Sequence, residues 1–253
     1  MKNIIKIIEE SIKTGLQGTT YKDRILDQQS HFIDKAEKDG RIPQNSVVNK
    51  IISYVSAIME AKSAMEVIAA NPTAGSCGTV GGALKAVADN LLSTSDDKVK
   101  AYFASGIIGV YFAKGPGFSA EEHGCQVECG AASGMAAAGI VQLKGGSARE
   151  AINAASLAIQ NMIGLICDPV ADRVEVPCLG KNISAAMNAL SSATMARSGF
   201  DVVSPLQEVI QTVVRVGNQR PVCVKCTGLG GLAITDTSVR IKKQLKKQNP
   251  EMK

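Results

Sequence analysis

Seven cysteines and two histidines hold most of the metal-binding potential of this 253-residue sequence. Three cysteines stand where a helix is expected to begin or end, namely Cys125, Cys167 and Cys178. Pro169 is predicted to end the helix before Cys167, and Pro177 directly precedes Cys178. Cys125 lies just before an alanine-rich segment, and a helix N-terminus favours the thiolate. Because a cysteine is often only a small buried apolar residue, a metal site, a catalytic thiol and simple packing all stay open.

The other four cysteines have weaker contexts. Cys77 lies in a glycine-rich segment, and Cys129 falls where a small apolar residue is expected. Cys223 and Cys226 form a C-x-x-C pair, which alone would suggest a redox pair or half of a zinc site. The chain offers no second pair to complete such a site, and the cysteine spacing matches neither a zinc finger nor a compact ferredoxin motif.

The elements that must position these thiols are predicted to be helices, because apolar residues recur at helical spacing and no strands alternate with them. Helices are predicted at residues 2–16, 45–70 (capped by Asn45 or Ser46), 99–113, 129–144, 148–165, 183–198 and 201–216, with one short helix within 17–44. Residues 71–82, NPTAGSCGTVGG, are predicted to form a loop before a further helix that runs through Leu92.

Small residues dominate the centre of the chain, while aromatic residues make up only 4% and Trp is absent. The helices are therefore expected to pack closely. The predicted fold is all-α, a helical domain rich in small residues in which glycine-rich loops surround the site. The predicted divisions are an N-terminal helical appendage (1–44), a catalytic domain (45–237) and a basic C-terminal tail (238–253).

Composition argues against several classes of protein. The formal net charge is +5, and the tail holds six Lys and Arg residues against Glu251, which is the whole excess. A solvated helix end explains this tail, and no nucleic-acid-binding motif accompanies it. No stretch reaches the ~18 uncharged apolar residues that a membrane span needs. We therefore expect a cytoplasmic protein without a membrane or nucleic-acid partner, whose reduced cysteines serve metal binding or catalysis.

Several short segments, in this order, resemble the α subunit of the iron–sulfur-dependent L-serine dehydratases. They are NPTAGSCG (71–78), GCQVE (124–128), CDPV (167–170), VPC (176–178) and the KxTxxGGLA stretch (225–233). The resemblance covers about residues 45–235. It implies that Cys125, Cys167 and Cys178 bind three irons of a [4Fe–4S] cluster and that the fourth iron stays open for substrate. The chain departs from the family's K-E-T-S version at Cys226 and Gly228, which leaves the role of that loop in doubt.

The reaction implied by the resemblance is the conversion of L-serine to pyruvate and ammonia. An open iron is a Lewis acid for the β-hydroxyl group, and a base must remove the α-proton. The resemblance also implies a partner, the β subunit, with a Ser-Ser-Ser-His-Thr motif that is absent here. The alternatives are a related cluster-dependent lyase such as an L-cysteine desulfidase, and a non-catalytic Cys-rich helical scaffold. A pyridoxal phosphate enzyme with Lys85 as Schiff base would leave the three cysteines unexplained.

Candidate substrate-binding residues lie in the glycine-rich loop and after the C-x-x-C pair: Thr73, Ala74, Gly75, Ser76 and Lys225. The loop offers N–H groups and two hydroxyls before a helix, which suits a carboxylate, although a tight packing turn is the alternative. Further candidates by position are Glu128, Asp168, Lys181 and Asn182. The catalytic base is not assigned and is expected on the partner, because His31 is expected to be exposed and His123 is not expected to be catalytic.

Overall fold

The computed structural model describes residues 1–44 and 46–248, and this part of the chain is all-α. Its helices are α1 (Lys2–Gln17), α2 (Ser30–Lys38), α3 (Val47–Ser63), α4 (Cys77–Asn90), α5 (Ser95–Lys114), α6 (Ala120–His123), α7 (Cys129–Leu143), α8 (Ala148–Gln160), α9 (Cys178–Arg197), α10 (Leu206–Gln219) and α11 (Asp236–Gln248). Within the described residues, extended backbone pairs only at one parallel bridge, between Cys167 and Lys225. The predicted fold class is confirmed.

Helix α7 lies at the centre of the bundle, surrounded by α4, α5, α8 and α9. It carries no charged residue and is buried from Cys129 to Val141. A helix that is apolar on every side can be buried on every side. Its small residues bring neighbours close, since a Cβ on Gly134 would lie 2.6 Å from Ile159 Cγ1 of α8. The predicted close packing of helices is confirmed.

Helices α1, α3 and α4 build the layer beside α7. The buried residues Ile8 and Ile12 of α1 belong to the same hydrophobic core as Ile51 and Val55 of α3. Burial of such side chains stabilises each by about 1.5–3 kcal/mol. Residues 1–44 therefore contribute a helix to the main core, and the division of the chain into three domains remains a prediction.

Side-chain caps set the beginning of several helices. The side chain of Ser46 accepts a hydrogen bond from the backbone and caps α3, as predicted, whereas Asn45 lies outside the described residues. Thr94 begins α5 and Ser147 begins α8, and each forms a reciprocal capping box with the acidic residue three positions later. The starts of α3 and α8 lie close to the predicted ones, whereas α5 begins at Ser95 rather than at residue 99.

Other predicted boundaries are wrong. Helix α3 ends at Ser63 rather than at residue 70, because Met65 adopts a left-handed conformation (φ 61°) and turns the chain. Helix α8 ends at Gln160 rather than at residue 165, well before Pro169, so this proline does not end it. Helix α9 begins at Cys178 rather than at residue 183. Helix α10 covers Leu206–Gln219 rather than 201–216.

The loop predicted for residues 71–82 is also shorter than expected. Helix α4 begins at Cys77 and ends at Asn90, before Leu92, so the last glycines of that segment are helical. They are needed for packing against α3, because a Cβ on Gly82 would lie 2.8 Å from the backbone nitrogen of Val55. A backbone atom cannot move aside as a flexible side chain can.

We expect Gly82→Ala to lower the free energy of unfolding by about 1–3 kcal/mol, the usual cost of overpacking. Gly106 is the matched control, because it lies within α5 and an added Cβ meets no atom within 4 Å. Gly106→Ala should instead raise stability by about 0.5–1 kcal/mol through helix propensity. Urea unfolding followed by circular dichroism measures both. Equal effects of the two substitutions would contradict the packing argument.

Helix α11 carries the basic tail up to Gln248. Ser238 and Leu245 are buried, and the helix contacts the short turn Val170–Asp172, while its lysines are exposed. The predicted solvated helix end is confirmed to that point, and residues 249–253 lie outside the described residues. Over the described ranges, no helix has both the length and the apolar character needed to cross a bilayer.

Candidate active site

The segment around Cys167 is extended and lies beside the loop that follows α10. The Cys167 N–H donates to Val224 O at 3.0 Å, and the Cys226 N–H donates to Cys167 O at 3.1 Å. Cys125, in a short turn before α7, packs with Cys167, and both are almost fully buried. Cys226 packs against the same small buried cluster. Three separate segments thus bring three thiols together, two of which are predicted ligands.

Cys178 is the first residue of α9 and is 7% exposed. One turn later, Asn182 Nδ2 donates to Cys178 O and to Gly75 O, both at 2.9 Å. Asn182 Oδ1 accepts from Thr79 N at 3.1 Å and from Thr79 Oγ1 at 2.9 Å. Because Asn182 is fully buried and both its polar atoms are bonded, it fixes the Cys178 end of α9 against α4. A role of Asn182 in a substrate pocket stays a prediction.

The loop Thr73–Ser76 lies against Glu128, the residue before α7. Thr73 Oγ1 donates to Glu128 Oε1 at 2.7 Å, and the Ser76 N–H donates to Thr73 Oγ1 at 3.2 Å. A Cβ on Gly75 would lie 2.8 Å from Glu128 Oε1, so a larger residue there would displace the carboxylate. The Thr73 and Ser76 hydroxyls, 3.0 Å apart, also bond to each other. In the described part of the chain, the free donors of this loop are the N–H groups of Ala74 and Gly75.

A buried ion pair holds the segment after α8 in place. Lys181 Nζ donates to Asp168 Oδ1 at 2.6 Å and to Ile166 O at 2.7 Å. Asp168 Oδ2 accepts from the Leu232 N–H at 3.0 Å. Asp168 is 5% exposed, and removing either partner from such a pair typically costs about 3–5 kcal/mol. Asp168 and Lys181 therefore orient the chain next to Cys167, and their charged groups are already engaged with protein atoms.

Lys62, near the end of α3, has no partner for its amino group among the described residues. Its Nζ is buried and forms no hydrogen bond with any described residue. Burial lowers the pKa of Lys62, and four acidic groups oppose this: Cys77, Cys178, Glu175 and Glu128. Lys62 is not among the residues that the sequence patterns predict. The one sequence feature that could have pointed to Lys62 is its position on an apolar helix, two residues after the buried Glu60.

The remaining predicted residues lie outside this group or at its edge. Lys225 lies on the bridge with Cys167 and is partly buried. His31 is exposed, as predicted, and its ring lies 4.2 Å from the ring of Phe32 at an angle of 40°. His123 is buried against α10, and its Nδ1 has no partner among the described residues. Lys85 Nζ is held by Asp89 at 2.6 Å.

Burial governs the ionisation of the thiols. It raises the pKa of Cys178 and of Cys77 to about 12, whereas a hydrogen bond with the Cys167 thiol lowers the pKa of Cys125. A buried thiol becomes a thiolate when a positive centre binds it. The arrangement therefore suits soft metal centres better than a free nucleophile exposed to solvent.

The chain is similar in sequence to known serine dehydratase alpha chains. The sequence model of the serine dehydratase alpha chain family matches residues 1–233. A probable L-serine dehydratase alpha chain of Bacillus subtilis is 35% identical over 245 residues, which cover 97% of this chain and 82% of that protein. Its counterpart in Latilactobacillus sakei is 38% identical over 199 residues, covering 79% of this chain and 95% of that protein.

A longer relative shows how this chain relates to a larger enzyme. L-serine dehydratase 1 of Escherichia coli is 37% identical over 204 residues, which cover 79% of this chain but only 44% of that protein. The family match extends over nearly all of this chain. The matches to the two alpha chains cover most of this chain and most of each relative. The chain belongs to the serine dehydratase alpha chain family.

Proposed function

We propose that this chain is the α subunit of an L-serine dehydratase that holds a [4Fe–4S] cluster with Cys125, Cys167 and Cys178 and, with a β subunit, converts L-serine to pyruvate and ammonia in the cytoplasm. The observation that carries the proposal is the packing of Cys125 and Cys167 in one small buried cluster. Cys178 begins α9, and burial together with the nearby Cys125 raises its pKa. Asn182 ties the Cys178 end of α9 to Gly75 of the loop.

The donor set suits this cluster. Thiolates are the usual ligands of iron–sulfur clusters. Among the residues that the structure describes, no three His, Cys, Asp or Glu side chains converge so as to hold one metal ion. A four-iron cluster does not require such convergence, because each thiolate binds a different iron. The buried amino group of Lys62, which bonds to no described residue, would supply the positive charge that an anionic cluster or substrate needs.

The cluster would supply, when bound, a Lewis-acidic iron for the substrate hydroxyl. The N–H groups of Ala74 and Gly75 would bind the substrate carboxylate at the start of α4. Glu128, held by Thr73, would accept a hydrogen bond from the substrate ammonium group. Removal of the α-proton is assigned to a group on the β subunit.

The direct test is anaerobic preparation of the chain, followed by iron, sulfide and pyruvate assays. We expect about four irons and four sulfides per chain. Pyruvate should form from L-serine when the β chain is present. L-cysteine, assayed in parallel, separates the proposed dehydratase from a desulfidase. A colourless protein without iron would contradict the proposal.

Lys62→Met tests the role of the unpaired ammonium group. We expect kcat/KM for L-serine to fall by about 10–100-fold, the value of one or more charge-assisted hydrogen bonds. The apo protein should become more stable, because an unpaired buried charge is removed. Lys85→Met is the control, since the ammonium group of Lys85 already pairs with Asp89, and its activity should stay within about twofold of wild type. A loss of stability in Lys62→Met would instead indicate a purely structural lysine.

A further inference from the structure

Helix α5 carries a stripe of large apolar side chains on its outer face. Phe103, Ile107, Val110 and Tyr111 recur at helical spacing, and each is between 53% and 60% exposed. The opposite side of the same helix is buried, mainly against α7. A helix that is apolar on both sides is normally buried on both sides. The outer face of α5 therefore has the composition of a contact surface.

The aromatic residues of this stripe support that interpretation. Phe103 and Tyr111 stand exposed in a chain that has only five Phe and four Tyr residues and no Trp. Aromatic residues are enriched at protein interfaces, and a contiguous exposed apolar patch commonly marks an interaction site. The three predicted cluster ligands and the loop Thr73–Ser76 lie on other elements. A β chain that completes the candidate active site therefore need not cover α5.

The two ends of the stripe carry opposite charges. Asp96 stands in the first turn of α5 and Lys114 in its last turn. They are about five helical turns apart, so both lie on the face that carries the apolar stripe. Asp96 Oδ1 lies 3.9 Å from Lys2 Nζ, but these two side chains are 79% and 72% exposed. Such an exposed pair is weak and leaves Asp96 accessible.

We propose that the outer face of α5 is the interface of a homodimer, in which two copies of the helix pack antiparallel about a twofold axis level with Ser105. Phe103 and Ile107 are equally distant from Ser105 along the helix, and so are Asp96 and Lys114. In a twofold contact, residue i of one copy meets residue j of the other, and j meets i. Phe103 then packs on Ile107 of the second copy, and an Asp96–Lys114 ion pair closes each end.

A second copy is the occupant because this face is complementary to itself in charge and in shape. A parallel arrangement would place Asp96 against Asp96 and Lys114 against Lys114, which the antiparallel one avoids. Lys100, at the edge of the stripe, can pack its aliphatic stem and keep its ammonium group in solvent. One helix face is a small interface, so we expect a weak dimer with a Kd of about 1–100 μM. The inference requires neither the cluster nor the β chain.

The test is sedimentation velocity of the full chain over about 1–200 μM, a range that brackets this Kd. A reducing buffer excludes dimers linked by disulfides. We expect wild type to change from monomer to dimer with rising concentration. The double variant Phe103→Glu/Ile107→Glu should raise the Kd at least about 100-fold, because it places charges in the centre of the interface. Circular dichroism should show unchanged helix content, since both side chains are exposed.

Charge reversal tests the antiparallel pairing. Asp96→Lys and Lys114→Glu should each raise the Kd at least about fivefold, because each places like charges opposite one another at both ends. The combined variant Asp96→Lys/Lys114→Glu restores the pairs in reverse and should return the Kd to within about twofold of wild type. Lys243→Glu, an exposed charge on α11, is the control and should leave the Kd within about twofold.

Three outcomes would overturn the inference. The first is a wild-type chain that stays monomeric at every concentration. The second is a combined variant that dimerises more weakly than both single reversals, which would exclude the antiparallel pairing. The third is a β chain that binds wild type but not Phe103→Glu/Ile107→Glu, which would assign this face to the β chain. Iron content and pyruvate formation are measured separately, so the proposed function can stand or fail independently.

Discussion

Replacing any one of Cys125, Cys167 and Cys178 by serine should abolish the cluster and the dehydratase activity that depends on it. Each thiolate would bind a different iron, so each substitution would leave one iron without its protein ligand. Changes in groups that merely orient metal ligands already cost about 10–100-fold in affinity or activity, and loss of a ligand itself should exceed that. The measurement is iron and sulfide content after anaerobic reconstitution, together with the visible absorption of the cluster.

The control for these variants is Cys223→Ser. Cys223 is partly buried and does not contact the thiols of the site, so its replacement should preserve both iron content and fold. Circular dichroism should show unchanged helix content in all four variants. If Cys223→Ser loses the cluster while Cys178→Ser retains it, the ligands are assigned to the wrong cysteines.

The sequence predicts the helical bundle well because its signals are local. Alanine-rich segments favour helices wherever they lie, and the serine and threonine caps fix the starts of α3, α5 and α8. Close packing around α7 also follows from composition, because a chain poor in aromatic residues must fill its core with small side chains. These features depend on residue types within a few positions.

The errors have a different origin, since they depend on contacts between distant segments. Gly82 is helical because α3 approaches it, which no local pattern reveals. The end of α3 is set by the left-handed Met65, a conformation that methionine does not favour. Glycine-rich sequence alone favours a loop, and here tertiary packing overrides that preference.

The candidate site is predictable only in part for the same reason. Cysteine contexts and family motifs single out Cys125, Cys167 and Cys178, but contact between Cys167 and Cys226 arises from pairing across a long stretch of chain. Lys62 is found through its lack of a partner, which is a property of the folded surroundings. Hydroxyls expected to face substrate, those of Thr73 and Ser76, are instead bonded to each other. The backbone N–H groups of that loop are what remain for an anion.

The second large effect concerns the β subunit. We expect the isolated chain, even with an intact cluster, to have little serine dehydratase activity, and the β chain to raise the rate by orders of magnitude. A positioned general base typically contributes about 10²–10⁴-fold. The Escherichia coli relative carries more than half of its length outside the match, as expected if one chain there combines both parts. The assay compares pyruvate formation by equal amounts of cluster in the isolated chain and in the complex.

His123→Ala in the complex is the control for a base on this chain. His123 is buried against α10 and its Nδ1 bonds to no described residue, so we expect a change in kcat of only a few-fold. Loss of a catalytic base would instead reduce kcat by the full factor that the β chain supplies. If the isolated, cluster-loaded chain makes pyruvate as fast as the complex, the requirement for a second chain fails. The base must then lie on this chain, and Lys62, the buried amine without a partner among the described residues, becomes the first residue to test.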